Sequence, residues 1–142
     1  MGDYGKQWAF YGKTSVFNII IKQDKNKEDK LVANITANKI ENNKIQQDIY
    51  VSMKLNSEDI YKIRRFVLGR NEDVRITHTP NGDPKSKDSA RLNINWADNT
   101  KTSCFVNISR TKNGETTKIS RKFSREELEL IHAVLWNFLV NN

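Results

Sequence analysis

Hydrophobic and polar residues alternate along most of the chain with a period of two, which is typical of half-buried β-strands. The alternation predicts three strands in a first run and four in a second, at residues 14–23, 31–38 and 49–55 and then at 74–79, 91–96 and a hairpin over 103–123. Polar loops are expected at 41–47 and 80–88. The hairpin turns at Asn113-Gly114, a dipeptide that suits the positive backbone angles of a two-residue turn.

Two segments instead show the spacing of three or four residues that is typical of a helix. The first begins at Asn56 or Ser57, either of which is a suitable N-cap, and ends at Gly69, which suits the left-handed position after a helix. The second spans residues 124–140, opens with a Ser-x-x-Glu capping box and is apolar almost all round. Such a helix has to be buried against a sheet or a second subunit. The prediction is an α+β chain of two packed antiparallel sheets with a helix after each run, βββ-α-ββββ-α.

The charge of the chain points to an anionic partner. Over 142 residues the formal net charge is +7, which favours nucleic acid first and an anionic membrane surface second. A composition rich in Lys and Asn that merely reflects an A·T-rich genome is the alternative explanation. The last helix is too short to span a bilayer and has no basic face, so we expect no membrane partner.

Few residues are available for metal or covalent chemistry. Cys104 is the single cysteine, which excludes an internal disulfide and a multi-cysteine zinc site, and the two histidines are His78 and His132. We interpret His78 as a core histidine because it falls on the apolar side of its strand. We therefore expect no enzyme and no cofactor or metal. With no signal peptide at the start, we expect a soluble intracellular protein of a bacterial or phage-infected cytoplasm, or of an organelle.

The first twelve residues interleave aromatic side chains with glycines and lysines, and we interpret them as an arm preceding a single domain over 13–142. The arm either stacks its rings on bases or packs them on a neighbouring subunit. Elsewhere, basic and aromatic residues fall on the polar faces of predicted strands, with no visible base-reading code. The candidates for contacting nucleic acid are Trp8, Phe10, Tyr11, Lys13, Lys22, Tyr50, Lys54, Arg91, Phe105, Arg110, Lys118 and Lys122.

Three short stretches resemble the Whirly family of single-stranded DNA-binding proteins, which share a fold with trypanosome guide-RNA-binding proteins and positive cofactor four. Residues 10–16, Phe-Tyr-Gly-Lys-Thr-Ser-Val, are similar to the family's Tyr-Lys-Gly-Lys-Ala-Ala-Leu, with Tyr11 replacing the first lysine. Residues 66–70, Phe-Val-Leu-Gly-Arg, resemble its first helix end and precede a His and a Pro. Residues 105–109 and 123–127 resemble its Phe-Asn-Leu-Ser-Val strand and the start of its last helix.

The resemblance extends over residues 10–140 and implies two packed sheets with helices bundled between protomers. It implies a homo-oligomer, a tetramer or a dimer, formed through residues 124–140. It also implies that single strands lie across sheet edges with bases between aromatic and apolar side chains, and that Lys13 helps assembly or DNA contact.

Sequence-tolerant binding of single-stranded DNA, in replication, recombination or maintenance, is the leading hypothesis. Lysine and arginine would neutralise phosphates while exposed rings stack on bases. An RNA-binding or annealing protein is the near alternative, because the same surface accepts RNA. A protein-interaction module that docks through its apolar last helix is the alternative of a different class.

Overall fold

The computed structural model describes residues 5–24 and 27–142, the side chains of 27–29 excepted. Two four-stranded antiparallel sheets are each followed by a helix, which confirms the predicted α+β class. The elements are β1 (Gly5–Tyr11), β2 (Ser15–Asp24), β3 (Lys27–Glu41), β4 (Lys44–Leu55), α1 (Ser57–Val67), β5 (Asp73–His78), a 3₁₀ turn (Pro80–Gly82), β6 (Ser89–Trp96), β7 (Ser103–Lys112), β8 (Glu115–Ser124) and α2 (Arg125–Asn141).

The N-terminal sheet has the order β1-β2-β3-β4, so its run contains four strands where three were predicted. The missed strand is β1, which pairs antiparallel with β2 along its whole length. Most of the predicted arm is therefore part of the sheet, while residues 1–4 lie outside the described residues. The alternation of β1 is visible in the sequence: Trp8 and Phe10 face the core, whereas Gln7 and Tyr11 face away from it.

The predicted loop at 41–47 is also corrected, because β3 and β4 continue through it almost to their shared turn. Asn42 and Asn43 make that turn with φ of 52° and 62°. Asparagine tolerates the left-handed region better than most residues, so a polar stretch forms a tight hairpin here instead of an irregular loop.

The C-terminal sheet has the order β5-β6-β7-β8. The predicted hairpin turn is confirmed, with φ of 54° at Asn113 and 81° at Gly114. Positive angles at both central residues match the right-handed twist of the strands, which is why this dipeptide closes the hairpin.

Both helix starts predicted from capping residues are confirmed. Asn56 caps α1: its side chain accepts a hydrogen bond from the backbone N–H of Asp59, whose carboxylate accepts one from Asn56 N–H. Ser124 and Glu127 make the same reciprocal arrangement at α2. Gly69 follows α1 with φ of 77°, the conformation expected at its end.

The core lies between the sheets and beneath the helices. Phe17 and Phe123 meet edge to face, with ring centroids 5.3 Å apart, and Phe66 stacks on Trp96 at 4.4 Å. Cys104 is fully buried in the core, and this burial, helped by the charge of Glu127, raises the pKa of its thiol to about 12. No helix in the described part of the chain is both long and apolar enough to cross a membrane.

Helix α2 is covered by its own chain on one side. Leu128, Ile131 and Leu135 are buried, and α2 packs on α1, β7 and β8. Leu130 and Val140 on other sides remain 47% and 59% exposed. The burial all round that the sequence predicted is therefore incomplete within one chain.

Candidate nucleic-acid interface

The outer face of the C-terminal sheet, the face turned away from the core, brings four candidate residues together. Phe105 lies directly across from Lys122 on β8. Four residues further along β7, in the second row of the same face, Arg91 and Lys118 flank Ser109. Strand alternation produces this arrangement, because the even-numbered Leu92, Ile94, Val106 and Ile108 fill the core and leave the odd-numbered β6 and β7 neighbours outside.

This outer face carries an exposed aromatic ring among cations. Phe105 is 41% exposed although it is a large apolar residue. Arg75 is held by Asp73 at 2.9 Å, whereas Arg91, Lys118 and Lys122 make no ion pair with any described residue. Lys122 beside the ring, and Arg91 and Lys118 two rows further along the face, are thus free for phosphate and base contacts.

A second surface is a cleft between β4 and the β5–β6 connection, closed by the end of β7; we call it the β4 cleft. Its volume is about 510 Å³. Met53, Pro80 and Ala90 supply apolar surface, while Lys54, Arg110 and Lys112 supply positive charge. Other polar groups lining it are Ser52, Asn56, His78, Thr79, Asp88, Ser89 and Thr111.

Three candidates meet at this cleft. The Arg110 guanidinium lies 5.7 Å from the centroid of the Tyr50 ring, which is 42% exposed. Lys54 Nζ lies 3.5 Å from a carboxylate oxygen of Asp24, so part of its charge is balanced. An aromatic ring and a guanidinium are therefore paired beside the cleft, an arrangement that accepts a stacked base and its phosphate.

His78 borders the β4 cleft, which corrects its interpretation as a core histidine. Its side chain is 35% exposed, and Nε2 lies 2.7 Å from Oδ2 of Asp59. The same carboxylate oxygen accepts the Asn56 N–H, so the contact joins the end of β5 to the start of α1. The pair serves to position these two elements.

The N-terminal candidates are dispersed. Tyr11 is 65% exposed and shares a cross-strand row with Tyr50, separated by Val16 and Asn38. Phe10 is only 6% exposed and packs on Phe123 at 5.7 Å, so the prediction that it stacks on bases is wrong for this fold.

Trp8 does not join the basic surfaces either. It is half-buried beside the core and lines a groove next to α2, together with Ile21, Leu31, Val134 and Phe138. Lys13 is exposed between β1 and β2, and Lys22 is exposed on the outer face of β2. The structure thus separates the twelve candidates into two groups and several isolated positions.

Sequence reasoning missed Lys112 in the β4 cleft and the amides Asn93 and Asn95 on the outer face. Asn93 and Asn95 are odd-numbered like Arg91, so all three lie on the same face of β6. This alternation is the sequence signal that could have identified them. Within the described ranges, no group of three or more His, Cys, Asp or Glu side chains is placed to hold a metal ion.

Solved structures share this fold, although no protein-family model and no curated protein matches the sequence. WHY1 from Arabidopsis thaliana, a Whirly protein, aligns with a TM-score of 0.74 at 14% identity over 96% of this chain and 88% of its own. The plant transcriptional regulator PBF-2 gives 0.72 and 12% over 97% and 87%. A guide-RNA-binding protein complex bound to its RNA gives 0.63 and 13% over 95% and 88%. The expected Whirly-like fold is confirmed.

Proposed function

We propose that this chain binds single-stranded DNA, tolerating many sequences, through the outer face of the C-terminal sheet and the adjoining β4 cleft. The observation that carries the proposal is the register that sets exposed Phe105 opposite Lys122, with Arg91 and Lys118 two rows further along the same face. Phosphates would meet the cations and bases would stack on the ring. The shared fold with a guide-RNA-binding complex supports a nucleic-acid partner.

The β4 cleft supports the same proposal with a second set of groups. The Tyr50 ring and the Arg110 guanidinium adjoin its apolar surface, and Lys112 adds a further cation. A strand that leaves the outer face would find another stacking position there. Roles in replication, recombination or maintenance of DNA belong to the proposal as contexts in which single strands are exposed.

The first experiment measures which polymer binds. Fluorescence anisotropy is recorded with labelled oligo-dT of about 30 bases, the matching oligo-U and a duplex of equal length, each at low and moderate salt. Salt-sensitive preference for oligo-dT over duplex is expected. Equal binding of oligo-U would favour the RNA alternative, and no binding of any of the three at low salt would contradict the proposal.

A variant with Arg91, Lys118 and Lys122 all changed to Ala tests the placement of the site. The slope of log affinity against log salt should fall by about 0.7 for each lost phosphate contact on a single strand. The control changes the exposed Lys30, Lys44 and Lys62 to Ala, which alters the net charge equally at other surfaces. Equal slopes for the two variants would show that the site lies elsewhere.

Phe105→Ala tests the stacking contact separately. The loss of one base stacked on an aromatic ring costs about 1–3 kcal/mol and leaves the salt slope unchanged. Tyr61→Ala, at a ring that is 46% exposed on α1, is the matched control and should bind as the unaltered protein does.

We further propose that α2 joins copies of this chain into a homo-oligomer. Leu130 and Val140 are exposed on it, and the Trp8-lined groove of about 460 Å³ runs beside it. Light scattering after gel filtration should give a multiple of the 16.5 kDa chain mass, reduced by Leu130→Glu and unaffected by Ser57→Glu on α1. A monomer at all concentrations would exclude this assembly and the docking role of α2 in it.

A further inference from the structure

Three asparagine side chains share the outer face of the C-terminal sheet, two of them on β6 and the third on β7. Asn93 on β6 lies across from Asn107 on β7, and Asn95 lies across from Phe105. Asn107 accepts a hydrogen bond from the hydroxyl of Ser120. The pairing of β6 with β7 therefore places one amide opposite the exposed ring and two more in the next row of the same face.

Two of these amides are free to bind. Asn93 and Asn95 are exposed, and neither side chain has a hydrogen-bond partner among the described residues. They line a shallow depression of about 510 Å³, whose charged members Asp73 and Arg75 neutralise each other at 2.9 Å. The depression therefore presents unpaired amides without a net charge of its own.

The distances suit one nucleobase. Residues two apart on a strand project from the same face about 7 Å apart, and directly opposed residues on neighbouring strands lie about 5 Å apart. A base that stacks on Phe105 therefore brings its edge to the amide of Asn95, with Asn93 one position further along. Lys122, on the other side of the ring, is placed for the phosphate of the same nucleotide.

We propose that this amide pair reads adenine in the single strand bound on the outer face. An asparagine amide carries a donor beside an acceptor and forms two hydrogen bonds with a base edge of the opposite pattern. Adenine has that pattern on both of its edges, N6 with N1 and N6 with N7. On the edge that contains N7, guanine presents two acceptors, O6 and N7, thymine a carbonyl beside its methyl group and cytosine a donor alone. An asparagine amide that meets this edge therefore selects adenine.

This inference rests on the proposed function and refines it. A modest preference for one base at one position is compatible with binding that tolerates many sequences. The charge on the face supports a nucleic-acid occupant, since Arg91, Lys118 and Lys122 surround an otherwise uncharged group of amides. Adenine is present in both DNA and RNA, and the test includes both.

The test compares labelled oligo-dT strands of about 15 bases whose central three bases are dT, dA, dC or dG, with a matching oligo-U series carrying A. The dA strand should bind about five-fold tighter than dT alone, the low end of what one amide–adenine pair supplies. The oligo-U series shows whether the adenine is read in DNA, in RNA or in both.

The asparagine variants decide the mechanism. Asn93→Ala combined with Asn95→Ala should abolish the adenine preference while leaving oligo-dT affinity and the salt slope unchanged, and the exposed Asn99→Ala is the control. Thermal melts establish that all variants are folded. Equal affinity of the unaltered protein for every insert, or a preference that survives the double variant, would overturn this inference and leave single-strand binding intact. No binding of any oligonucleotide would instead remove the proposed function itself.

Discussion

Arg121 on β8 donates a hydrogen bond from its guanidinium to Oε2 of Glu127 on α2 at 2.8 Å. The same guanidinium nitrogen donates to the backbone carbonyl of Tyr11 at 2.9 Å, and the group lies 4.3 Å from the centroid of the Phe123 ring. Its side chain is only 13% exposed. One residue of the basic hairpin is therefore directed inwards, where it connects β1, β8 and α2.

Arg121→Ala should destabilise the protein without changing how nucleic acid binds. Its loss removes the donor to Oε2 of Glu127 and to the Tyr11 carbonyl, and hydrogen bonds to charged groups contribute about 1.5–3 kcal/mol each. Urea denaturation should show a lower midpoint for Arg121→Ala, while the exposed neighbour variant Lys122→Ala stays within about 0.5 kcal/mol of the unaltered protein. Equal midpoints for the two variants would contradict the connecting role of Arg121.

The same pair predicts a loss of stability in acid. Burial alone would raise the pKa of Glu127, but hydrogen bonds from Arg121 and from the Ser124 backbone outweigh it and lower the pKa. A carboxyl with a depressed folded-state pKa adds stability above its unfolded pKa of about 4.3, and that stability is lost as the pH falls through the folded value. The free energy of unfolding, followed from pH 7 to pH 3, should fall less steeply in Glu127→Gln. The same decline in the free energy of unfolding for both proteins would show that protonation of Glu127 does not contribute to the loss of stability in acid.

His132 should produce a second pH dependence, at milder acidity. Its Nε2 lies 3.2 Å from the guanidinium of Arg64, which itself lies 4.0 Å from the Trp136 ring. Burial and the charge of Arg64 lower the pKa of His132, opposed by Glu129. Neutral His132 is therefore favoured in the folded state, so stability present above the unfolded pKa of about 6.5 is lost as the pH falls below it. Chemical denaturation between pH 8 and pH 5 should show a shallower decline for His132→Gln, and an unchanged decline would count against the contact.

Gly12 should resist substitution because of what surrounds it. A Cβ at this position would lie 2.9 Å from Nε of Arg121 and 3.2 Å from the Ser15 carbonyl. The backbone cannot yield as easily as a side-chain end, so Gly12→Ala should cost about 1–3 kcal/mol. Gly5→Ala is the control, because its nearest neighbour is the Ile21 carbonyl at 4.0 Å. Thermal melting should separate the two, and equal melting temperatures would show that Arg121 and Ser15 move aside without cost.

The elements that sequence predicts well are those with local signals. The N-cap at Asn56, one of two predicted alternatives, the capping box at Ser124 and the turn at Asn113-Gly114 depend on residues within four positions of one another, and the structure confirms all three. Strand β1 was missed because glycine and aromatic residues suggested a flexible arm. Only its pairing with β2 shows that Phe10 belongs to the core.

The candidate site is less predictable because strand register determines it. The two-residue turn at Asn113-Gly114 sets the register that places Phe105 opposite Lys122, provided that neither strand contains a bulge. Arg91 joins this face through the pairing of β6 with β7, which no local signal specifies. Arg110 lies on the same face of β7 as the core residues Val106 and Ile108, but its position near the strand end places it at the β4 cleft, beyond the core. Asn93 and Asn95 fall on the polar face of a predicted strand, and its pairing with β7 is what brings Asn95 opposite Phe105.

The burial of Cys104 allows the opening of the C-terminal sheet to be measured through the reactivity of its thiol. Its thiol is fully enclosed, with a pKa raised to about 12, so very little reactive thiolate exists while β7 remains packed. A thiol reagent added in excess would therefore be consumed at the rate at which the C-terminal sheet separates from its core. Since Cys104 is the single cysteine, that rate would be measured at one known position without introducing a label.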